Sequence, residues 1–286
     1  MQFFLQSSLH YEVTSEATLF CSLRCIPTET QQLRDEILST DRPARQTELQ
    51  VGLAENRLNR VEVDSPGPFT VSYEATADIR PSIIKKQSLF DDGIRGLSSV
   101  EIPYLLPSRY APADRLRAVA NQLFGSFATK MEQAVAVEDW LFENIAYIPG
   151  ASQEQSWAPD TYEARSGVCR DFAHLGIAFC RALCIPARYV TVYAHQLIPQ
   201  DFHAVFEVFI GGQWFVFDGT RKAPLNGLVR IASGRDASDA AIATLFGNIQ
   251  GTGIQVSSLL GKDETEVFRP LYRDQLEANS QAIALD

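Results

Sequence analysis

Ser166-Gly167-Val168-Cys169-Arg170-Asp171-Phe172-Ala173-His174-Leu175-Gly176 reads as a turn that delivers a cysteine onto the first turn of a helix. Gly167 opens backbone conformations closed to other residues. From Val168 onward, Phe172, Leu175, Gly176, Phe179 and Leu183 recur three or four apart along one stripe, and Ile185-Pro186 ends the helix. A thiol in that position lies beside backbone N–H groups with no partner inside the helix, at the positive end of the dipole, which favours the thiolate. The same N–H groups can hold an oxyanion that develops on a substrate. The stretch predicts a nucleophile wherever the rest of the chain supplies a base.

Such a base stands downstream. His203-Ala204-Val205-Phe206-Glu207-Val208-Phe209-Ile210 and Gln213-Trp214-Phe215-Val216-Phe217-Asp218 are apolar and aromatic runs around Gly211-Gly212, a pair that favours a two-residue hairpin turn. With the glycines as the loop, Ile210 pairs with Gln213, Val205 with Asp218 and His203 with Thr220. Opposed residues share a face and side chains repeat with period two, so these last four residues project together. His203 and Asp218 become diagonal neighbours at about 7–8 Å, within reach for a carboxylate that orients an imidazole. A cysteine nucleophile needs a base, and the base needs an orienting acceptor. The chain order Cys169, His203, Asp218 is the one used by papain-like folds.

Gly167-Val168-Cys169-Arg170-Asp171-Phe172-Ala173-His174-Leu175, followed by Ile185-Pro186-Ala187-Arg188-Tyr189-Val190, resembles the core signature of transglutaminase-like proteins. Asp201-Phe202-His203-Ala204 and Trp214-Phe215-Val216-Phe217-Asp218-Gly219-Thr220 are similar to the His and Asp blocks of that family. Ile231-Ala232-Ser233-Gly234-Arg235-Asp236-Ala237 resembles its bacterial branch, whose members are often grouped with cysteine proteases and carry an N-terminal β domain. The resemblance implies an α+β fold: a papain-like transglutaminase core, with a helix-borne cysteine packed on antiparallel strands, preceded by a small all-β domain. It also implies Cys169 as nucleophile, His203 as base and Asp218 as orienting carboxylate. Many relatives place Trp after the His-Ala pair, where this chain has Val205, so the wall of the site differs.

At 286 residues the chain is long enough for two domains. A net charge of -10 argues against nucleic acid as a partner, because phosphate binding needs a basic stripe. No apolar run approaches the ~20 residues of a membrane span, so no membrane partner is expected. Residues 1–20 lack the basic start of a secretory signal. Five cysteines without framework spacing fit a reduced, cytoplasmic compartment. Cys21, Cys25, Cys180 and Cys184 read as small buried hydrophobes. No coiled-coil repeat or apolar stripe specifies an oligomeric state.

Period-two runs at 3–13, 17–25, 47–53, 58–64 and 69–78 predict a β-sandwich-like domain or single sheet over residues 1–105. A proline-bearing linker at 98–112 leads into a catalytic domain over 106–286. That domain is expected to hold a short helix from Pro112 to near Gly125 and a longer one from Thr129 that stops by Pro149-Gly150. A loop at 150–160, the cysteine helix and three strands over 188–218 follow. A helix over 236–246, a strand at 253–260 and a loosely held tail in the last dozen residues complete the pattern.

His174, five positions after Cys169, points away from it on the helix and reads as a packing residue. His10 and His195 carry no signal. Cys169, His174, His195 and His203 lack the short paired spacing of a zinc site, so neither metal nor cofactor is expected. Arg170 and Asp171 read as helix-start contacts, and Arg235-Asp236 as an ion pair or cap. Tyr147 and Trp157 read as core aromatics, with the wall of the site or an oxyanion donor as the alternative. Asp218 has an alternative role as a cap of the turn at Gly219-Thr220. The function expected is cysteine-dependent acyl transfer on amide bonds of a protein or peptide substrate, with water resolving the thioester. The alternatives are resolution by an amine, as in a protein-crosslinking transglutaminase, and a catalytically idle module that binds a protein or peptide.

Overall fold

The computed structural model describes residues 1–52, 56–89, 93–261 and 267–286. Six strands come first: β1 (Gln2–Cys21), β2 (Gln31–Thr40), β3 (Arg45–Val51), β4 (Asn56–Val63), β5 (Gly67–Ile79) and β6 (Ser82–Lys85). The middle of the chain holds α1 (Ala113–Phe124), α2 (Lys130–Asn144), β7 (Ala146–Tyr147), α3 (Ala158–Ala164), β8 (Ser166–Gly167) and α4 (Cys169–Ala182). After them come β9 (Ala187–Ala194), β10 (Phe202–Ile210), β11 (Gln213–Phe217), β12 (Leu228–Gly234), β13 (Ala243–Leu260), α5 (Arg273–Ala278) and β14 (Gln281–Ala284). This is the α+β class expected from the sequence.

The alternation of β1 is that of a strand with one dry face: Phe3, Leu5, Leu9, Tyr11, Val13 and Leu19 are all buried. The two runs expected at 3–13 and 17–25 are therefore one strand. It pairs antiparallel with β5 through residues 2–13 and with β4 through residues 17–21. The resulting strands form one hydrogen-bonded sheet ordered β2-β5-β1-β4-β3, whose two wings meet where Arg57 of β4 pairs with Glu36 of β2 at 2.8 Å. Its other contact along β1 is β13, so a strand far beyond residue 105 completes it. A second sheet, ordered β11-β10-β9-β12, packs against it. At that junction the Tyr193 hydroxyl donates to Leu23 O (3.0 Å) and shares a hydrogen bond with Ser7 (2.8 Å), while its ring stacks on Tyr73.

Three expectations fail for physical reasons. The Ala-rich stretch 236–246 is a turn and the start of β13, not a helix. Asp236 Oδ1 accepts from both the N–H and the hydroxyl of Ser238, which fixes the turn, and cross-strand pairing of Ala243 with Cys21 overrides alanine's helical preference. The final residues are not a loose tail. They form α5 and β14, with Ala282, Ile283 and Ala284 buried and β14 paired to β6. The segment 98–112 is not a free linker either. Tyr104 is buried, and Arg181 near the C-terminal end of α4 donates to Leu106 O and Ser108 Oγ, both at 3.0 Å.

Three elements set up the site. In α2 the first turn carries a capping box: Thr129 Oγ1 accepts from Glu132 N–H (3.1 Å), and the Glu132 carboxylate accepts from Thr129 N–H (2.9 Å). The cysteine helix α4 lies directly on β10. A Cβ at Gly176 would stand 2.6 Å from the Phe206 ring, so only glycine permits that approach. The β10–β11 hairpin turns at Gly211 (φ 59°) and Gly212 (φ 85°), the positive pair that a tight type I′ turn demands.

Candidate active site

Cys169 is the first residue of α4 and is half-buried. The helix start is built by Asp171, whose Oδ2 accepts from Val168 N–H (2.8 Å) and whose Oδ1 accepts from Ser152 Oγ (2.9 Å). Gly167 is required here for room rather than for a left-handed backbone: an added Cβ would sit 2.7 Å from Asp171 Cβ. Arg170 reaches further than a helix-start contact. Its guanidinium donates to the carbonyls of Gln153 (3.0 Å) and Glu154 (2.9 Å) and lies 4.4 Å from the Tyr110 ring centroid. Arg170 and Asp171 together tie the loop before α3 along the cysteine end of α4.

The β10–β11 register pairs Ile210 with Gln213 and Phe206 with Phe217, the register read from the Gly-Gly loop. His203 and Asp218, only 2% and 1% exposed, therefore share a face, and His203 Nε2 bonds Asp218 Oδ2 at 2.9 Å. Asp218 also caps its turn, because Oδ1 accepts from Thr220 N–H (2.9 Å) and Thr220 Oγ1 (2.7 Å). Asp218 thus engages His203 through one oxygen and its own turn through the other. With Nε2 engaged by Asp218, Nδ1 is the ring nitrogen left open, and the Cys169 thiol lies near enough to act on the charge of the imidazole. Burial favours neutral His203, yet the Asp218 charge, its hydrogen bond and the thiol outweigh that and push His203 up to about 10. Burial likewise opposes ionised Asp218, but His203 and the Thr220 donors hold it below the ordinary carboxylate range.

A buried ion pair supports this arrangement from behind. Glu138 on α2 accepts Asp218 N–H at 2.7 Å and pairs with Arg273 of α5. Arg273 donates in addition to Val216 O (2.8 Å) and lies 4.2 Å from the Phe217 ring centroid. Removing one member of such a pair strands a buried charge. Arg273→Met is thus expected to lower stability by about 3–5 kcal/mol. Urea unfolding monitored by tryptophan fluorescence checks this, and a midpoint equal to that of wild type would contradict it.

The comparisons with known proteins align with this architecture. Residues 117–219 match the model of the transglutaminase-like superfamily, and residues 1–98 match that of the bacterial transglutaminase N-terminal domain. A solved structure from Cytophaga hutchinsonii, described as a "putative cysteine protease", is 40% identical with a TM-score of 0.94, covering 100% of this chain and 98% of that one. The chain belongs to the transglutaminase-like superfamily. The uncharacterised protein ML0607 of Mycobacterium leprae (strain TN) is 29% identical over 158 residues, which are 52% of this chain. The match spans 56% of that protein, so this chain aligns with little more than half of its curated relative.

Within the transglutaminase-like core, several residues lie elsewhere than the sequence suggested. Tyr147 is no core aromatic. It is 36% exposed, its strand β7 pairs with β8 so that Tyr147 faces Gly167, and its ring centroid lies 6.1 Å from that of Phe172 in the first turn of α4. Burial, followed by the charges of Cys169 and Asp201, pushes its phenol up to about 12. Trp157 opens α3 instead of lining the core, donating from its indole to Asp160 (2.8 Å). Cys184 is exposed rather than buried. His174 is buried, stacks on Tyr110 and accepts from Ala237 N–H (3.1 Å). Burial, aided by the Arg170 charge, pushes it down to about 3, so it stays neutral. Among the described residues no three His, Cys, Asp or Glu side chains converge as a metal site, and no helix is long and apolar enough to cross a membrane.

Glu138, Arg273 and Tyr147 are the residues at the candidate site that the sequence did not reveal or placed elsewhere. The signal available for Glu138 was a carboxylate on the otherwise apolar stripe of α2, between Val137 and Leu141. A charge there needs a buried partner.

Proposed function

We propose that the protein is a cysteine-dependent acyl-transfer enzyme that hydrolyses amide bonds in a protein or peptide substrate. The observation that carries this reading is the buried His203–Asp218 pair set against the half-buried Cys169 thiol at a helix start. Cys169 sulfur, its proton held by His203, attacks the amide carbonyl carbon. The S–C bond forms as the carbonyl electron pair moves to oxygen. Cys169 N–H, at the helix start, receives that oxyanion, and the hydroxyl of Tyr147, which is paired with Gly167, donates a second hydrogen bond. Collapse breaks the C–N bond, and His203 gives its proton to the leaving amine.

Neutral His203 then takes a proton from water as the water oxygen attacks the thioester. Collapse of that second adduct releases the acid and returns sulfur and imidazole to their starting states. Asp218 holds the ring so that Nδ1, not Nε2, faces the sulfur. Water is chosen over an amine because the Cytophaga hutchinsonii neighbour is described in terms of proteolysis.

Tyr147→Phe is expected to lower kcat about 100-fold, the range for one lost oxyanion donor, with KM little changed. A rise in KM alone would assign Tyr147 to substrate binding instead. The reading as a whole is tested by labelling wild type and Cys169→Ala with a panel of amide-mimicking electrophiles. Labelling should map to Cys169 and vanish in the variant. Equal labelling of Cys169 and the exposed Cys184 would contradict it.

A further inference from the structure

The space beside Cys169 holds a cation that no carboxylate engages. Lys222 follows the turn that Asp218 begins. In that turn Arg221 adopts a left-handed φ of 51°, Arg221 N–H donates to Asp218 O (3.0 Å), and Lys222 N–H donates to Thr220 Oγ1 (3.3 Å). The half-buried Lys222 ammonium is thereby placed 4.3 Å from the centroid of the Tyr147 ring, and Tyr147 itself is paired with Gly167, two residues before Cys169, with its ring 6.1 Å from that of Phe172 on the cysteine helix. The same turn touches the cysteine helix: a Cβ at Gly219 would stand 3.4 Å from Phe172 Cδ1.

The neighbouring arginines are already committed. Arg221 pairs with Asp139 and Asp274, Arg170 is spent on the Gln153 and Glu154 carbonyls, and Arg273 is paired with Glu138. No carboxylate reaches Lys222 among the described residues; its side-chain partner is the Tyr147 ring. An ammonium over a phenol face is attracted by the ring, but its charge is not neutralised. Asp201, just before β10, also acts on Tyr147 and opposes an anion there, while its Oδ1 accepts from Phe202 N–H (2.7 Å). In a chain of net charge -10, an anionic group approaching the nucleophile meets local attraction at Lys222 against general repulsion.

We propose that Lys222 determines specificity at this site by selecting substrates that carry a carboxylate within a side chain's length of the amide that Cys169 attacks. The inference rests on Cys169 being the nucleophile. Lys222 meets the carboxylate as a compact charge with three donors, and a neutral isostere forfeits that contact. The predicted substrate class is therefore an acidic peptide or another carboxylate-bearing amide.

Two alkylating agents of similar size and one warhead separate charge from reactivity. With iodoacetate and with iodoacetamide alike, the thiolate displaces iodide, forming S–C as C–I breaks, but only iodoacetate brings a carboxylate. The quantity read is the ratio of their second-order rates at Cys169, by peptide mapping of the full chain. Exposed Cys184, just past the opposite end of α4, serves as internal reference. Normalising to iodoacetamide removes any change in the thiol's own reactivity. Lys222→Gln is expected to lower the iodoacetate-to-iodoacetamide ratio at Cys169 about fivefold, a shift suited to one charge at close range in a partly solvated cleft. The ratio at Cys184 should stay put, and Lys222→Arg should keep most of the wild-type value at Cys169. An unchanged ratio in Lys222→Gln, with Cys169 still labelled, overturns the role of Lys222 and leaves the nucleophile intact. An equal fall in the Gln and Arg variants overturns it as well, because shape rather than charge would then govern. Failure of both reagents to label Cys169 overturns the nucleophile itself.

Discussion

Cys169→Ser is expected to lower amide turnover by about 10⁴-fold or more, equivalent to about 5 kcal/mol of transition-state stabilisation, while the fold is retained. The serine hydroxyl fits the half-buried space of the thiol at the head of α4, and Asp171, Arg170 and Gly176 still fix the helix in place. Its oxygen, however, holds its proton far more tightly than sulfur does. A histidine that suffices to hold a thiol proton leaves a serine as a poor nucleophile. Steady-state hydrolysis of a peptide library, with circular dichroism and thermal unfolding as controls, measures both halves. Turnover within tenfold of wild type would remove Cys169 from the chemistry.

Asp218→Asn should cost about 10³- to 10⁴-fold in kcat, for a reason that can be followed atom by atom. Asp218 accepts from His203 Nε2 on one oxygen and from Thr220 N–H and Oγ1 on the other. An asparagine has a single acceptor oxygen. If that oxygen stays with Thr220, the amide NH₂ faces Nε2, drives the imidazole proton to Nδ1 and points it at the sulfur. The ring then cannot accept the Cys169 proton. If the oxygen turns to His203, the NH₂ meets the Thr220 N–H and leaves two buried donors opposed.

The same substitution alters the pH dependence. His203 is raised from its ordinary 6.5 to about 10, so its contribution to stability is complete below 6.5 and fades as pH rises through about 10. Without the Asp218 carboxylate, the largest influence raising it is lost. The stability decline of wild type between pH 7 and pH 10 should therefore shift to lower pH in Asp218→Asn. Thermal unfolding across that range reads the difference, and superimposable wild-type and variant profiles would deny the pair its electrostatic role.

The β10–β11 hairpin was legible in the sequence because its geometry is local. Two glycines with positive φ set the register, and period two did the rest. The cysteine helix was legible for the same reason, through its apolar stripe and the proline after it. What escaped was non-local or had no period. The exposed, charge-bearing β2 shows no apolar alternation, and β12 is buried along its whole length, so neither presents a face to count. The later part of β13 was read as a strand at 253–260, but its start, from Ala243, suggested a helix, and only pairing with β1, more than two hundred positions away, makes it a strand. Glu138 and Arg273 are 135 residues apart, and no local pattern joins them. Tyr147 was misassigned because aromatic residues are usually packed, and its exposure follows from the short β7–β8 pairing that brings it to Gly167.

The most direct test of Cys169 as an acyl-transfer nucleophile is to trap the covalent intermediate. Wild type, Cys169→Ala and His203→Ala are each mixed with an activated acyl ester, quenched in acid within milliseconds to seconds and weighed by intact-mass spectrometry. A single acyl adduct is expected on wild type. It should map to Cys169, be released by hydroxylamine as a thioester is, be absent from Cys169→Ala and form far more slowly in His203→Ala. Acylation spread evenly over Cys169 and Cys184, or an adduct on Cys169 that forms as fast without His203, would contradict the account.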